Sequence, residues 1–164
     1  DVIVPAGSYT FYDLNASYTN ARGSLVKWKA VAAAGSFYDG SQIMFGLEPS
    51  WFVSQHLELA TAYEYNRVRF PDRGQQFDSH ISRLRIRTSI SSTISATTLI
   101  QHNSAIDGVI GNLRFRFNPR EGSDLYIVYN HRLNTDRYRR MPALPLTDRR
   151  TLLVKYSYTF TLGS

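Results

Sequence analysis

Four histidines, His56, His80, His102 and His131, are the side chains of this 164-residue chain best suited to acid–base or metal-binding chemistry. Three of them, His80, His102 and His131, fall near the outer ends of segments, where Asp78 and Ser79 precede His80 and Ser104 and Asp107 follow His102. A hydrolytic site needs a nucleophile, a base and a group that orients the base, and a zinc site needs three or four ligands held by a scaffold. These spacings match no such motif, and the chain has no cysteine to supply a thiolate. The residues therefore give no catalytic residue, no metal ligand and no cofactor site, and the rim histidines read as solvated loop groups. A hydrolase working at one rim of the fold is the alternative they leave open.

Arginine is the residue whose spacing is informative. Over residues 81–90, Arg83, Arg85 and Arg87 alternate with Ser82, Leu84, Ile86 and Thr88, and over 109–117, Arg114 and Arg116 alternate with Leu113, Phe115 and Phe117. A period of two puts successive side chains on opposite faces of a strand, so the arginines form rows on one face. The last segment is sorted the same way, with Leu152, Val154, Tyr156, Tyr158, Phe160 and Leu162 against Leu153, Lys155, Ser157 and Thr159. Earlier segments set Asp13 against Leu14 and Tyr18, Lys27 and Lys29 against Trp28, Glu48 against Leu47 and Trp51, and Glu58 and Glu64 against Leu59, Tyr63 and Tyr65.

The period resolves the chain into about nine segments of roughly 9–14 residues, close to the ~9–11 of a tilted membrane-spanning strand. No stretch reads as a helix, and none approaches the ~20 apolar residues of a helical span. Short turns are expected at Asn20-Ala21-Arg22-Gly23, Val53-Ser54-Gln55-His56, Ser91-Ser92-Thr93 and Pro119-Arg120-Glu121-Gly122. Between them fall Phe37-Tyr38-Asp39-Gly40, the polar stretch from Arg67 to Ser79, the brief one from Ser104 to Gly108, and the long one from Asn134 to Arg150. Alternation of short turns with longer connections suits a barrel with short periplasmic turns and longer outer loops.

Two architectures give strands with opposite faces. A soluble barrel or sandwich points its apolar side chains inward, whereas an outer-membrane barrel points them at lipid. The polar faces carry Asp13, Lys27, Lys29, Glu48, Glu58, Glu64, Arg83, Arg85, Arg87, Arg114, Arg116 and Lys155, charges of both signs that can pair across a lumen. The apolar faces, represented by Leu113, Phe115, Phe117, Leu152, Val154, Tyr156, Tyr158 and Phe160, are unusually aromatic, and the segments exceed the ~5–6 residue mode of globular strands. Tyr12, Tyr18, Trp28, Trp51, Tyr63, Tyr65, Tyr156 and Tyr158 gather toward segment ends, as an interfacial girdle requires. The expectation is an all-β, antiparallel transmembrane β-barrel of about 8–10 strands, or the C-terminal strands of a larger one, in a Gram-negative outer membrane. A soluble ligand-binding barrel is its competitor.

Net charge is +6, which by itself suits an anionic surface or nucleic acid. The aromatics are not interleaved with the basic run as stacking platforms, so nucleic acid is not an expected partner. The loop arginines Arg137, Arg139 and Arg140, with Arg149 and Arg150, would instead meet the phosphates of outer-leaflet lipopolysaccharide. The other expected partners are the lipid bilayer and, during insertion, the barrel assembly machinery, whose terminal signal Tyr156-Ser157-Tyr158-Thr159-Phe160 resembles. A small barrel is filled by its own side chains, so the expected role is an anchor, a scaffold or a narrow, porin-like passage.

Three segments carry a family resemblance: Gly122-Ser123-Asp124-Leu125-Tyr126-Ile127-Val128-Tyr129-Asn130, Asn112-Leu113-Arg114-Phe115-Arg116-Phe117 and Arg150-Thr151-Leu152-Leu153-Val154-Lys155-Tyr156. With Pro5-Ala6-Gly7-Ser8-Tyr9 and Gly35-Ser36-Phe37-Tyr38-Asp39-Gly40, the chain resembles the C-terminal barrel region of large bacterial outer-membrane proteins that carry an N-terminal domain similar to family 9 carbohydrate-binding modules. The resemblance implies an upstream domain and further strands, and it transfers no functional residue. Counting nine strands back from a periplasmic C-terminus puts residue 1 on the extracellular side. Even strand numbers are usual in single-chain barrels, so the odd count implies a count off by one, a missing strand of a longer chain, or strands from another subunit.

Overall fold

The computed structural model describes residues 6–20 and 24–160. Two-residue alternation with many β-branched and aromatic side chains gives strands almost throughout: β1 Asp13–Thr19, β2 Val26–Phe37, β3 Gly40–Ser54, β4 Leu57–Phe70, β5 Gln75–Ser89, β6 Ile94–Asn103, β7 Gly108–Arg120, β8 Ser123–Asn134 and β9 Thr147–Tyr158. They form one all-β antiparallel sheet in which each strand pairs with its neighbours in sequence, from β1 to β9 in order. The strand number agrees with the sequence-based expectation. Among the described residues no ladder joins β1 to β9, so each of these two strands has an outer edge.

At one end of the sheet lie the tight connections 55–56, 90–93 and 121–122, and at the other 38–39, 71–74, 104–107 and 135–146. The β7–β8 turn uses Gly122 at φ 76°, a left-handed backbone that costs a Cβ-bearing residue about 1–2 kcal/mol. Residues 21–23 of the expected first turn, Pro5 and residue 1, and Thr161 and Leu162 of the final segment lie outside the described residues.

One expected connection is much shorter than predicted. Arg67 to Ser79 was expected to be a loop because its apolar alternation fails. Instead β4 runs to Phe70 and β5 starts at Gln75, leaving a 3-10 turn at Pro71–Arg73 closed by Gly74 at φ 59°. Polar cross-strand pairs hold this extension: Arg67 faces Asp78 and Arg69 faces Gln76, with side-chain hydrogen bonds of 2.7 and 3.0 Å.

Among the described residues no second layer covers the sheet. Phe70 is the one large apolar side chain that is buried among the described residues, tucked under the 3-10 turn with the Arg73 guanidinium 4.2 Å from its ring centre. One hollow is lined by residues of β3 to β7 together, among them Glu48, Ala60, Arg85, Thr97 and Arg114, so the sheet curls toward the face that carries those residues.

Candidate functional site

Cross-strand partners in an antiparallel ladder share a face, so the register fixes which side chains stand together. Lys29 opposes Glu48, Gly46 opposes Glu64, and Glu58 opposes Arg87. Arg87 opposes Thr97, Thr97 opposes Arg114, and Arg116 opposes Tyr126, which opposes Lys155. Asp13 joins this face through Gly35 and Gln42, and Lys27 through Ser50, Ala60 and Arg85. Asp13, Lys27, Lys29, Glu48, Glu58, Glu64, Arg83, Arg85, Arg87, Arg114, Arg116 and Lys155 therefore all lie on the inward-curled face.

Their pairing is uneven. On the β3–β5 side, Glu58 is 14% exposed and takes Arg87 at 2.8 Å and Arg85 at 4.0 Å, while Glu64 takes Arg83 at 3.4 Å. The arginines are about half exposed, and ion pairs of this exposure add little stability. On the far side Arg116 pairs with Asp124 at 2.8 Å and Arg132 with Asp148 at 3.3 Å. Between these groups stand the neutral Thr97 and Gln101 on β6 and Asn112, hydrogen-bonded to Asn130, with Arg114 among them. Arg114 and Lys155 have no ion-pair partner among the described residues.

The opposite face carries the apolar rows. Leu113 opposes Tyr129, which opposes Leu152; Phe115 opposes Ile127, which opposes Val154; and Phe117 opposes Leu125, which opposes Tyr156. Phe160 lies just past β9 with its ring edge-on to Tyr158 at 4.6 Å. The aromatics of this face divide between its ends. Tyr63 and Tyr65 lie toward the long connections, with Tyr12 at the start of β1, whereas Tyr18, Trp28, Trp51, Tyr156 and Tyr158 lie toward the short turns.

The histidines do not assemble into a site. His80 is on the apolar face, its Nδ1 2.8 Å from the Tyr63 hydroxyl, while its sequence neighbour Ser79 is on the other face opposite Asn66. Asp78 is held by Arg67 and Tyr65, and Ser104 accepts the backbone N–H of His80 through its hydroxyl. Asp107 pairs with Arg139 at 3.3 Å. His131 lies 3.2 Å from the Thr147 hydroxyl and takes a hydrogen bond from Arg150. At the other end of the sheet His56 donates from Nδ1 to the Ser89 carbonyl at 2.7 Å. Among the described residues no group of three or more ligating side chains could hold a metal.

The basic residues of the long connection do not form one patch. Arg137 donates to the Leu144 carbonyl and Arg139 to the Ile106 carbonyl, folding the connection over 104–107, while Arg140 is exposed. Arg149 and Arg150 are adjacent in sequence and lie on opposite faces, opposite Arg132 and His131. Sequence reasoning missed Asp124 and Arg132, whose alternation with Leu125 and Leu133 on β8 is a usable signal. It also missed the Arg67–Asp78 pair, for which no such signal exists. No family model matches the chain, and no curated protein matches its sequence.

Proposed function

We propose that this chain is a non-enzymatic β-barrel protein of a bacterial outer membrane, an anchor or narrow passage with its apolar face against lipid and its charged face lining the interior. The observation that carries this reading is the exposed apolar face: Leu14, Leu152, Val154 and Tyr156 are 62–76% exposed, with no layer over them among the described residues. Leaving this face in water forfeits about 1.5–3 kcal/mol per large side chain, on the order of 10 kcal/mol for these and their neighbours, which rivals the stability of a whole domain. Hydrocarbon removes that cost.

The dimensions support it. From Arg150 to Tyr158 the apolar face of β9 runs eight steps of ~3.3 Å, roughly 20 Å along the membrane normal at a tilt of ~40° and close to the ~25 Å apolar band of outer-membrane barrels. Polar groups bound it at one end, where Arg150 and His131 face each other, and aromatic ones at the other. In a bilayer the unpaired edges of β1 and β9 must find partners, because backbone groups in hydrocarbon have no water to bond. Further strands complete the barrel in this reading, in keeping with the resemblance to the barrel region of proteins with a carbohydrate-binding-like domain. Lipopolysaccharide contact then belongs to the long-connection end, where Arg140 and Arg150 are the arginines best placed for it.

The test is refolding into detergent followed by electrophoresis with and without boiling. A heat-modifiable band and loss of solubility on detergent removal are expected. A stable monomer in buffer without detergent would replace the membrane reading with a soluble ligand-binding barrel. Chemical cross-linking of the refolded sample distinguishes completion by a second subunit from completion by strands of a longer chain.

A further inference from the structure

We propose that the polar face between β5 and β9 holds a binding site for small oxyanions, centred on Arg114. The proposal takes that face to be the barrel interior, as argued above, and adds the class of solute it selects. Three observations meet at this position. First, Arg114 borders two hollows of about 510 and 700 Å³, the first shared with Arg83 and Arg85 and the second with Arg116 and Lys155. Volumes of that size suit a small solute. Second, the charge balance is one-sided: on β5 to β9 the face carries Arg83, Arg85, Arg87, Arg114, Arg116 and Lys155, against which stand Asp124, already bound to Arg116, and Asp148 near the rim.

Third, the groups around Arg114 are uncharged, and the polar ones among them, Thr97, Asn112 and Asn130, carry donors. The cross-strand partners of Arg114 are Thr97 and Val128, and Asn112 and Asn130 flank it one step along their strands. Amides beside an unpaired guanidinium are the chemistry that binds carboxylate or phosphate: the planar fork supplies two parallel donors and the amides complete the oxyanion's shell. Glu58 and Glu64 do not compete, because Arg87 and Arg83 occupy them. Glu48 is the one carboxylate lining the first hollow, and its cross-strand neighbour is Lys29. The consequence is a track of cations that favours anions over cations inside the barrel.

Titrating the refolded full chain in detergent with sodium phosphate at constant ionic strength, followed by amide NMR, tests this. Saturable shifts are expected at the side chains of Asn112 and Asn130, with chloride far weaker than phosphate and Arg114→Gln lowering affinity at least tenfold. Acetate forms the second arm: a tighter site for phosphate assigns phosphorylated solutes, and a tighter site for acetate assigns carboxylates. If Arg114→Gln does not refold, Lys155→Gln should weaken binding at least threefold. Shifts that never saturate, equal competition by chloride, or unchanged affinity in the refolded variants would overturn the proposal. The heat-modifiable band scores the membrane reading separately, so a folded barrel that binds no oxyanion sinks only the site.

Discussion

Glu58 is the residue on which the charged face turns. It is largely covered, it holds Arg87 at 2.8 Å, and it lies within reach of Arg85, so one carboxylate organises two of the three arginines on β5. Glu58→Gln keeps the shape and removes the charge, leaving the guanidiniums of Arg85 and Arg87 to repel each other without a carboxylate between them, while Arg83 keeps Glu64. The expected outcome is a lower urea midpoint at low salt, with the deficit shrinking in roughly 1 M NaCl, where the Debye length is ~3 Å. Unfolding of both proteins at the two salt concentrations checks this, and a salt-independent deficit would indicate lost packing instead. These pairings were out of reach of the sequence, because alternation says that Glu58 and Arg87 share a face type but only the register brings them opposite each other.

At the scale of the strand, β9 puts the two faces to the sharpest comparison. Leu152 and Lys155 are three residues apart, both exposed and on opposite faces. Against lipid, Leu152→Arg should cost ~2–4 kcal/mol near the bilayer midplane, whereas Lys155→Gln should be mild, since a polar interior accepts either side chain. Equilibrium unfolding from lipid vesicles measures both, and the reverse ranking would exchange the two faces. Alternation made β9, β7 and the centre of β5 readable. It failed at the ends of β4 and β5, where Arg67, Arg69, Gln76 and Asp78 lie beyond the apolar stretch and need no oily partner. Their pairing replaces hydrophobic burial as the force that extends the ladder, and a reader of hydropathy sees only a polar loop.

For the whole molecule, the open order β1 to β9 predicts graded protection. β4 pairs along most of its length on both sides, while β1 is exposed throughout and, among the described residues, pairs only with β2. In hydrogen–deuterium exchange of the refolded chain, peptides from β1 should exchange first and those from β4 and β5 last. Equal protection of β1 and β4 in the refolded chain would overturn the open order and show that the outer edge of β1 is covered.

The sequence alone determined the strand number, the sorting of charges from apolar side chains and the identity of nearly every residue on the charged face. Each of these follows from a local rule, the opposite pointing of neighbouring side chains in an extended chain. Only the tertiary structure decided which charges are paired and which are left over. Arg114 and Arg116 look alike in sequence, yet Asp124 takes one and leaves the other beside neutral amides, because β8 sets its carboxylate one step beyond Tyr126. It also dispersed the histidines and split Arg149 from Arg150, since residues adjacent in a strand are separated by the thickness of the sheet, while residues thirty apart in the chain can touch across it.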